Sequence, residues 1–339
     1  MKNGLVTLMM PVLNGELFLP YALDSLLAQD YKDFELIILD DGSTDQTPRI
    51  CAEYGQRDAR IRYVLDDAHR ITHDAANKLA SFISGEFCAY VCDDDLWEPR
   101  FLSTLVGVLN ERPEVGLAFC NAAYVDVEGG KGSMRFLKGR LLYTERHSKF
   151  WNLWDFIRTR RNVPILFGVY RAAVFKTCLP FDTFDETIAD VDTLFLVKFL
   201  GRSKVHGVDE VLFFYRNKYR AFNPKLMKEF PKDNSTVRIW LYKLTHQVKF
   251  LRKLVAALDE TQFPMLERAL LKMRALYSFL LYTSVVQARP LVGRMLQSLG
   301  LHEATSMRRD KHFDIRADAH EHIDCPNLTM AKGKQKCDS

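Results

Sequence analysis

The chain has 339 residues, of which 47% are hydrophobic and 27% are charged. This composition is typical of a globular protein with a large apolar core and excludes a disordered or fibrous chain. The formal net charge is only +4, so we expect no nucleic acid among its partners.

In the first part of the chain, short apolar runs alternate with amphipathic stretches. The pattern predicts strands at 6–10, 36–39, 62–65 and 87–92, with helices between them at 17–29, 47–54 and 75–84. Strands that are apolar on both faces and separated by helices are typical of a parallel sheet. Ligands of such sheets bind at the carboxyl ends of the strands, so the residues after each strand are the first candidates for a functional site.

Further strands are predicted at 117–124, 166–170 and 211–215, with an apolar helix that begins near residue 190 and runs through residue 200. Beyond about residue 218 the pattern becomes helical, at 237–258 and 264–299, and the last segment is polar. We therefore expect an α/β domain at 1–218, a helical region at 219–306 and a flexible tail at 307–339.

Two predicted strands end in acidic motifs, at 40–45 and at 93–95. Carboxylates held close together repel unless a cation binds, and Mg²⁺ or Mn²⁺ takes carboxylate oxygens together with substrate phosphates. A turn capped by Ser43 or Thr44 would explain the first motif alone. Two such motifs in one predicted sheet favour a site for a metal and a nucleotide. The chain lacks Walker A and GxGxxG motifs, which argues against a P-loop kinase or a dinucleotide dehydrogenase.

The motifs, taken in order, resemble the family-2-type inverting glycosyltransferases of the GT-A fold. The likeness covers residues 4–218 and lies in Pro-Val-Leu-Asn at 11–14, Asp-Asp-Gly-Ser-Thr-Asp at 40–45, Asp-Asp-Asp-Leu-Trp-Glu-Pro at 93–99, Phe-Asp at 181–182, the acidic helix start at 190–192 and Leu-Phe-Phe-Tyr-Arg at 212–216. It implies an α/β fold with a Rossmann-like, mostly parallel sheet flanked by helices. The helical C-terminal region would be an extension of that fold.

The resemblance also implies roles for individual residues. The donor-binding residues would be Pro11, Asn14, Asp40, Asp41, Arg70, Asn77 and Asp93, and the metal ligands would be Asp94 and Asp95. Within this set, Pro11 and Asn14 would shape the nucleotide pocket. Either Asp40 or Asp41 would accept hydrogen bonds from the base or ribose, and Asp93 would lie near the ribose.

The catalytic residue implied is Asp190, as the base that deprotonates an acceptor hydroxyl. Its position before a helix favours the ionised form, although an aspartate there also caps helices. Asp192 is the rival candidate, two residues further on.

Two positions depart from the family pattern. Cys92 stands where many relatives have aspartate, which leaves the register of the metal motif open by one residue. Ala76 stands where many have arginine, and Arg70, or alternatively His73, would then contact the diphosphate.

The reaction implied is transfer of a sugar from a nucleotide-diphosphate sugar, a UDP-sugar being favoured, to a glycan or lipid-linked acceptor in polysaccharide, lipopolysaccharide or other glycan biosynthesis. Mn²⁺ or Mg²⁺ would be the cofactor. One alternative is a sugar-nucleotide pyrophosphorylase, but residues 11–14 are not the Gly-rich basic loop that such enzymes use. The other is a degenerate relative that binds nucleotide or acts as a scaffold, which Cys92 and Ala76 would favour.

The cysteines indicate the cellular compartment of the protein. Seven cysteines form no CxxC pair, and most lie in apolar segments, which favours buried thiols in a reducing compartment. The chain shows no signal-peptide cleavage site, so we expect a cytoplasmic protein.

Residues 240–311 contain twelve Lys/Arg and five Asp/Glu. These helices could cover the catalytic domain, pair with another subunit or bind the anionic inner face of the membrane.

Overall fold

The computed structural model describes residues 1–66, 72–125, 135–136, 148–159, 163–181, 191–216 and 236–281. The strands in these residues are β1 (Lys2–Val12), β2 (Phe34–Asp40), β3 (Ile61–Leu65), β4 (Gly85–Tyr90), β5 (Leu96–Trp97), β6 (Val115–Val125), β7 (Arg135–Phe136), β8 (Val169–Arg171) and β9 (Lys204–Arg216). The helices are α1 (Leu19–Leu27), α2 (Thr47–Arg57), α3 (Thr72–Ser81), α4 (Phe101–Glu111), α5 (Lys149–Thr159), α6 (Val163–Leu166), α7 (Ala172–Lys176), α8 (Val191–Arg202), α9 (Thr236–Asp259) and α10 (Met265–Leu281).

The described strands form one sheet in the order β3-β2-β1-β4-β8-β6-β9-β5, with β7 paired to β6. Strands β1, β2, β3 and β4 are parallel to one another. Both β4 and β6 are antiparallel to β8, and β9 is parallel to β6. Six strands therefore share one direction, and the short strands β5, β7 and β8 oppose them. The expected α/β architecture with a mostly parallel sheet is confirmed.

The central strands are buried on both faces, as their sequences predict. Five consecutive residues of β1, from Val6 to Met10, are buried, and so are the last five residues of β2. Helices cover the faces with apolar stripes, for example Leu19, Leu23 and Leu26 of α1. Burial on both faces explains why these strands are continuous apolar runs rather than alternating ones.

Several element boundaries differ from the sequence prediction. Strand β1 continues past Pro11 to Val12, because proline is compatible with extended backbone and lacks only the amide proton. The predicted strand at 166–170 is wrong at its start, since Leu166 ends α6 and β8 begins at Val169. The predicted strand at 211–215 is the second half of the longer β9.

The described C-terminal helices pack on the α/β part of the chain. Helix α9 contacts α8, helix α10 contacts α5, and the two helices contact each other. Buried side chains of this layer include Phe250, Leu254 and Leu271. Among the helices that the structure describes, none is both long and apolar enough to cross a membrane. The proposed tail at 307–339 lies outside the described residues.

Candidate functional site

The acidic motifs meet at one edge of the sheet, where the strand order changes direction. Strand β1 lies between β2 and β4, so the chain leaves β1 on one side and returns to it on the other. Such a switch point opens a crevice at the carboxyl ends of the strands. The loops after β1, β2 and β4 all end there, which brings the predicted donor and metal residues together.

The loops after β1 and β2 are joined by hydrogen bonds. The Asn14 amide donates to Ser43 Oγ at 2.9 Å, and Asn14 Oδ1 accepts from the Thr44 amide at 2.9 Å. The Gly15 amide donates to Thr47 Oγ1 at 2.9 Å. Asn14 has a φ of 51°, in the left-handed region that asparagine tolerates better than most residues. Asn14 therefore holds the two loops in a fixed relation.

Asp40 and Asp41, at the end of β2, are both buried. Asp40 is fully buried; its Oδ1 accepts from the Ser43 amide at 2.8 Å and its Oδ2 from the Tyr63 hydroxyl at 2.8 Å. Asp41 is 6% exposed, and its amide donates to the carbonyl of Val12 at 3.0 Å. Both carboxylate oxygens of Asp40 thus have donors, from the loop after β2 and from β3. Which of the two aspartates contacts the donor stays a prediction.

The three aspartates after β4 do not share one environment. A Cβ on Gly15 would lie 2.6 Å from Asp93 Oδ2, so the Asp93 carboxylate packs against the loop after β1. Ligand atoms of Cys92, Asp94 and Asp95 instead lie within 4.8 Å of one another. Asp93 thus faces the predicted nucleotide loop, while its neighbours form a group that could hold a metal ion.

Arg216, the last residue of β9, fixes the backbone of this group. Its Nε donates to the carbonyl of Asp94 at 2.8 Å, and its amide donates to Asp95 Oδ1 at 2.9 Å. The guanidinium also lies 4.7 Å from the centre of the Phe18 ring, a cation–π contact. Arg216 is 3% exposed and Asp95 is fully buried. A buried cation near the buried carboxylate of Asp95 lowers the cost of burying that charge.

The start of α8 faces the same edge of the sheet. Burial, followed by the nearby Cys92, Asp192 and Asp93, raises the pKa of Tyr90 well above its ordinary value. Tyr90 ends β4, so Asp192 lies close to the end of the strand that carries the aspartate group. Burial raises the pKa of Asp192 itself from 3.8 to about 7.

The remaining predicted residues have different positions. Pro11 is partly buried within β1 and pairs with Leu39. The Asn77 side chain donates to the carbonyl of Phe181 at 3.1 Å and accepts from its amide at 2.7 Å. Asn77 thereby anchors the chain after α7, and its contact with the donor stays a prediction. Asp190 and Arg70 lie outside the described residues.

Sequence reasoning gave no role to Arg216 or Gly15. The signal for Arg216 was present, since it is the one charged residue in the motif at 212–216, directly after an apolar strand. Gly15 follows the motif at 11–14, and nothing in the sequence links it to Asp93, which is far away along the chain.

Comparisons with known proteins relate the chain to glycosyltransferases. Residues 7–172 match the family model described as Glycosyl transferase family 2. Glycosyltransferase GlyA of Streptococcus pneumoniae is 35% identical over 100 residues, 30% of this chain and 14% of GlyA. EpsJ, an uncharacterized glycosyltransferase of Bacillus subtilis, is 27% identical over 238 residues, 67% of this chain and 64% of EpsJ. The match spans less than two thirds of each relative.

A solved structure extends the likeness to most of the fold. TarS 1-349 of S. aureus, in complex with UDP-GlcNAc, superposes with a TM-score of 0.61 at 18% identity, covering 82% of this chain and 73% of that one. Identity this low bears on the fold alone. Together, the strand order, the motifs at the strand ends and the family match identify residues 7–172 as a region of the glycosyltransferase family 2 type, within a chain that has the GT-A fold.

Proposed function

We propose that the protein is an inverting glycosyltransferase that moves a sugar from a nucleotide-diphosphate sugar to an acceptor hydroxyl. The observation that carries the proposal is the meeting of two groups of carboxylates at one edge of the sheet. Asp93 packs against the loop after β1, and Asp192 approaches the end of β4 from α8. Such an arrangement can bind a nucleotide diphosphate on one side and take a proton on the other.

The proposed chemistry is a single displacement at the anomeric carbon. Asp40 or Asp41, together with Asp93, Pro11 and Asn14, would hold the nucleoside. Asp190 would take the proton of the acceptor hydroxyl as its oxygen attacks, and Asp192 is the alternative base. Proton acceptance by a positioned carboxylate typically contributes about 10²–10⁴-fold to the rate. A pKa near 7, such as that of Asp192, is well matched to a base that works near neutral pH.

The donor set at the end of β4 fits a divalent cation. Two carboxylates and a thiol with ligand atoms within 4.8 Å of one another can converge on one ion, and carboxylate oxygens suit Mn²⁺ and Mg²⁺. Asp94 and Asp95 would hold the metal. When bound, it would supply positive charge for the diphosphate. Arg216 keeps the two aspartates in place through its contacts with their backbone and carboxylate.

Calorimetric binding of UDP-, GDP- and dTDP-sugars, with Mn²⁺ and with EDTA, tests the proposal. UDP-GlcNAc is the first choice because TarS, which shares the fold, was solved with it. We expect one nucleotide class to bind in a metal-dependent manner, and Asp94→Asn to weaken that binding. No binding of any donor by folded protein would overturn the proposal and favour the degenerate relative. Pyrophosphate-dependent formation of a nucleoside triphosphate would favour the pyrophosphorylase.

We also propose that α10 places the protein on an anionic membrane surface. Seven large apolar side chains of this helix are exposed, with Met265 at 80%, Leu266 at 70% and Met273 at 67%. The other four are Leu270, Leu276, Tyr277 and Leu280. Among the described side chains of α10, every exposed one is apolar. The stripe covers 16 residues, or about 24 Å of helix at ~1.5 Å per residue.

Charge and aromatic content favour a lipid surface as the occupant of this stripe. At about 100° per residue, Lys272, which forms an ion pair with Asp259, borders the stripe on one side and Arg274 on the other. The neighbouring helix α9 adds the exposed cations Lys249 and Arg252. Trp151 on α5 is 55% exposed and contacts Trp154, whose ring lies 5.5 Å from the Arg274 guanidinium. Apolar residues, tryptophan and tyrosine flanked by cations are typical of interfacial helices.

Vesicle flotation of the full chain tests the membrane proposal. We expect it to float with phosphatidylglycerol vesicles, to float less with neutral phosphatidylcholine vesicles or at high salt, and to lose binding in the double variant Leu266→Glu/Met273→Glu. The charge-matched control, Ala52→Glu/Ala59→Glu, alters exposed positions away from α10 and should float like wild type. A folded protein that stays unbound, or that instead forms a dimer broken by the double variant, would overturn the proposal.

A further inference from the structure

Cys92 differs from the other described cysteines in position and exposure. Cys51, Cys88, Cys120 and Cys178 are buried, whereas Cys92 is partly exposed. Burial raises the pKa of both Cys51 and Cys120 to about 12, so these thiols are poor metal ligands and poor nucleophiles at neutral pH. Cys92 instead lies directly after β4, at the edge of the sheet where the acidic loops meet.

The sulfur of Cys92 is close enough to two carboxylates to share an ion with them. Its Sγ and one oxygen each from Asp94 and Asp95 lie within 4.8 Å of one another. At the tetrahedral angle, a sulfur and an oxygen on one Zn²⁺ ion stand about 3.6 Å apart, since Zn–S and Zn–O bonds are about 2.3 and 2.0–2.2 Å long. Movement of the side-chain atoms by about 1 Å would therefore bring them to the spacing that one ion needs. Asp93 does not compete, because its carboxylate packs against Gly15.

The chemistry of this donor set differs from that of an all-carboxylate site. Mg²⁺ is a hard ion that prefers oxygen ligands, whereas Zn²⁺ and Co²⁺ also bind thiolate sulfur strongly. When the metal–sulfur bond forms, the thiol releases its proton to solvent, and the thiolate supplies the electron pair. Replacing one oxygen ligand by sulfur thus weakens the site for Mg²⁺ and strengthens it for thiophilic ions.

We infer that Cys92 is a ligand of the metal site, together with Asp94 and Asp95, and that the site selects a thiophilic divalent cation over Mg²⁺. The inference rests on the proposed function only in assuming that a metal binds at this edge of the sheet. Arg216 supports it structurally, since its hydrogen bonds hold the main chain at Asp94 and the carboxylate of Asp95.

Titration of the full chain with Co²⁺ tests the inference without any measurement of activity. A thiolate bound to Co²⁺ gives a charge-transfer band in the near ultraviolet. We expect this band in wild type and in the control Cys325→Ser/Cys337→Ser, and its loss in Cys92→Ser. Zn²⁺ affinity should fall by about 10-fold or more in Cys92→Asp, while Mg²⁺ affinity rises. Zn²⁺ should also protect Cys92 from alkylation by iodoacetamide, as read by peptide mass spectrometry.

The outcomes separate this inference from the proposed function. Metal-dependent donor binding without a Co²⁺–thiolate band, and with Cys92 alkylated at the same rate with and without Zn²⁺, would overturn the role of Cys92 and leave the glycosyltransferase proposal intact. A band that persists in Cys92→Ser would overturn the inference as well. Circular dichroism of each variant checks that a lost band does not come from unfolding.

Discussion

Replacing Asp192 by asparagine should stabilise the protein above neutral pH. Burial raises the pKa of this carboxyl from 3.8 to about 7, so the folded state resists its ionisation. Each pH unit between those values corresponds to about 1.4 kcal/mol, which sets an upper limit of about 4 kcal/mol. Because the side chain is only partly buried, we expect about 2–4 kcal/mol, since asparagine carries no charge to desolvate.

The sign of the pH dependence follows from linkage. Below about pH 4 the carboxyl is protonated in the folded and unfolded states, so Asp192→Asn should have little effect. Between pH 4 and 7 the folded state binds the extra proton, and wild-type stability falls relative to the variant as pH rises. Above about pH 7 the difference should stay constant. Tyr90 and Tyr170, which lie near Asp192 and whose pKa values burial raises well above the ordinary value, remain neutral throughout this range.

Urea unfolding at pH 4.5, 6 and 8 measures the effect, with Asp33→Asn as a control at an exposed site. The control should change stability by no more than about 0.5 kcal/mol at every pH. An Asp192→Asn variant that is no more stable than wild type at pH 8 would refute the reasoning. The activity of the same variant tests which aspartate is the catalytic base. A loss of about 10²–10⁴-fold in Asp192→Asn, with Asp190→Asn still active, would identify Asp192 rather than Asp190 as the base.

Three further predictions concern the residues that shape the site. Arg216→Met should lower stability by about 2–4 kcal/mol, since it removes a charged hydrogen bond to the Asp94 carbonyl and a cation–π contact. Urea unfolding should show the lower stability, and Mn²⁺ titration should show weaker metal binding. Unchanged Mn²⁺ affinity would contradict a positioning role for Arg216. Tyr63→Phe should cost about 1–3 kcal/mol, since it leaves a buried oxygen of Asp40 without this donor, and thermal unfolding that matches wild type would argue against the bond. In Gly15→Ala the new Cβ would lie only 2.6 Å from Asp93 Oδ2, so the Asp93 carboxylate must move. We expect weaker donor binding in calorimetry with little change in the melting temperature. A donor affinity equal to that of wild type would show that the loop adjusts freely.

The parallel half of the fold could be predicted from sequence because its signals are local. Apolar runs such as 36–39, followed by turn residues, are determined by burial on both faces and need no knowledge of partners. The antiparallel strands could not be predicted in this way. Strand β5 has two residues, Leu96 and Trp97, and exists because Phe213 and Phe214 of β9 lie beside it. Its pairing depends on residues more than 100 positions away in the chain, and a local pattern of apolar residues contains no information about them.

The candidate site shows the same limit at the level of single side chains. The sequence placed Asp93, Asp94 and Asp95 in one motif, but it could not tell which of them face the same way. That division depends on two distant residues, Gly15 against Asp93 and Arg216 at Asp94 and Asp95. Without a Cβ, Gly15 lets the Asp93 carboxylate approach the loop after β1.

The contacts of Arg216 also determine how the metal group is prepared for a ligand. Asp95 is fully buried and Arg216 is 3% exposed, so neither side chain can move far without breaking a buried bond. Buried charges of this kind add little net stability, since desolvation offsets most of their attraction. Their geometry is nevertheless fixed before any ligand arrives, which reduces the ordering cost of binding. We therefore expect Arg216→Met to weaken metal binding by more than Arg216→Lys, which keeps the charge and the buried stem although it loses the planar fork. The bond from the amide of residue 216 to Asp95 Oδ1 is retained in both variants. Equal losses in the two variants would mean that the guanidinium bond to the Asp94 carbonyl, rather than the buried charge, organises the group.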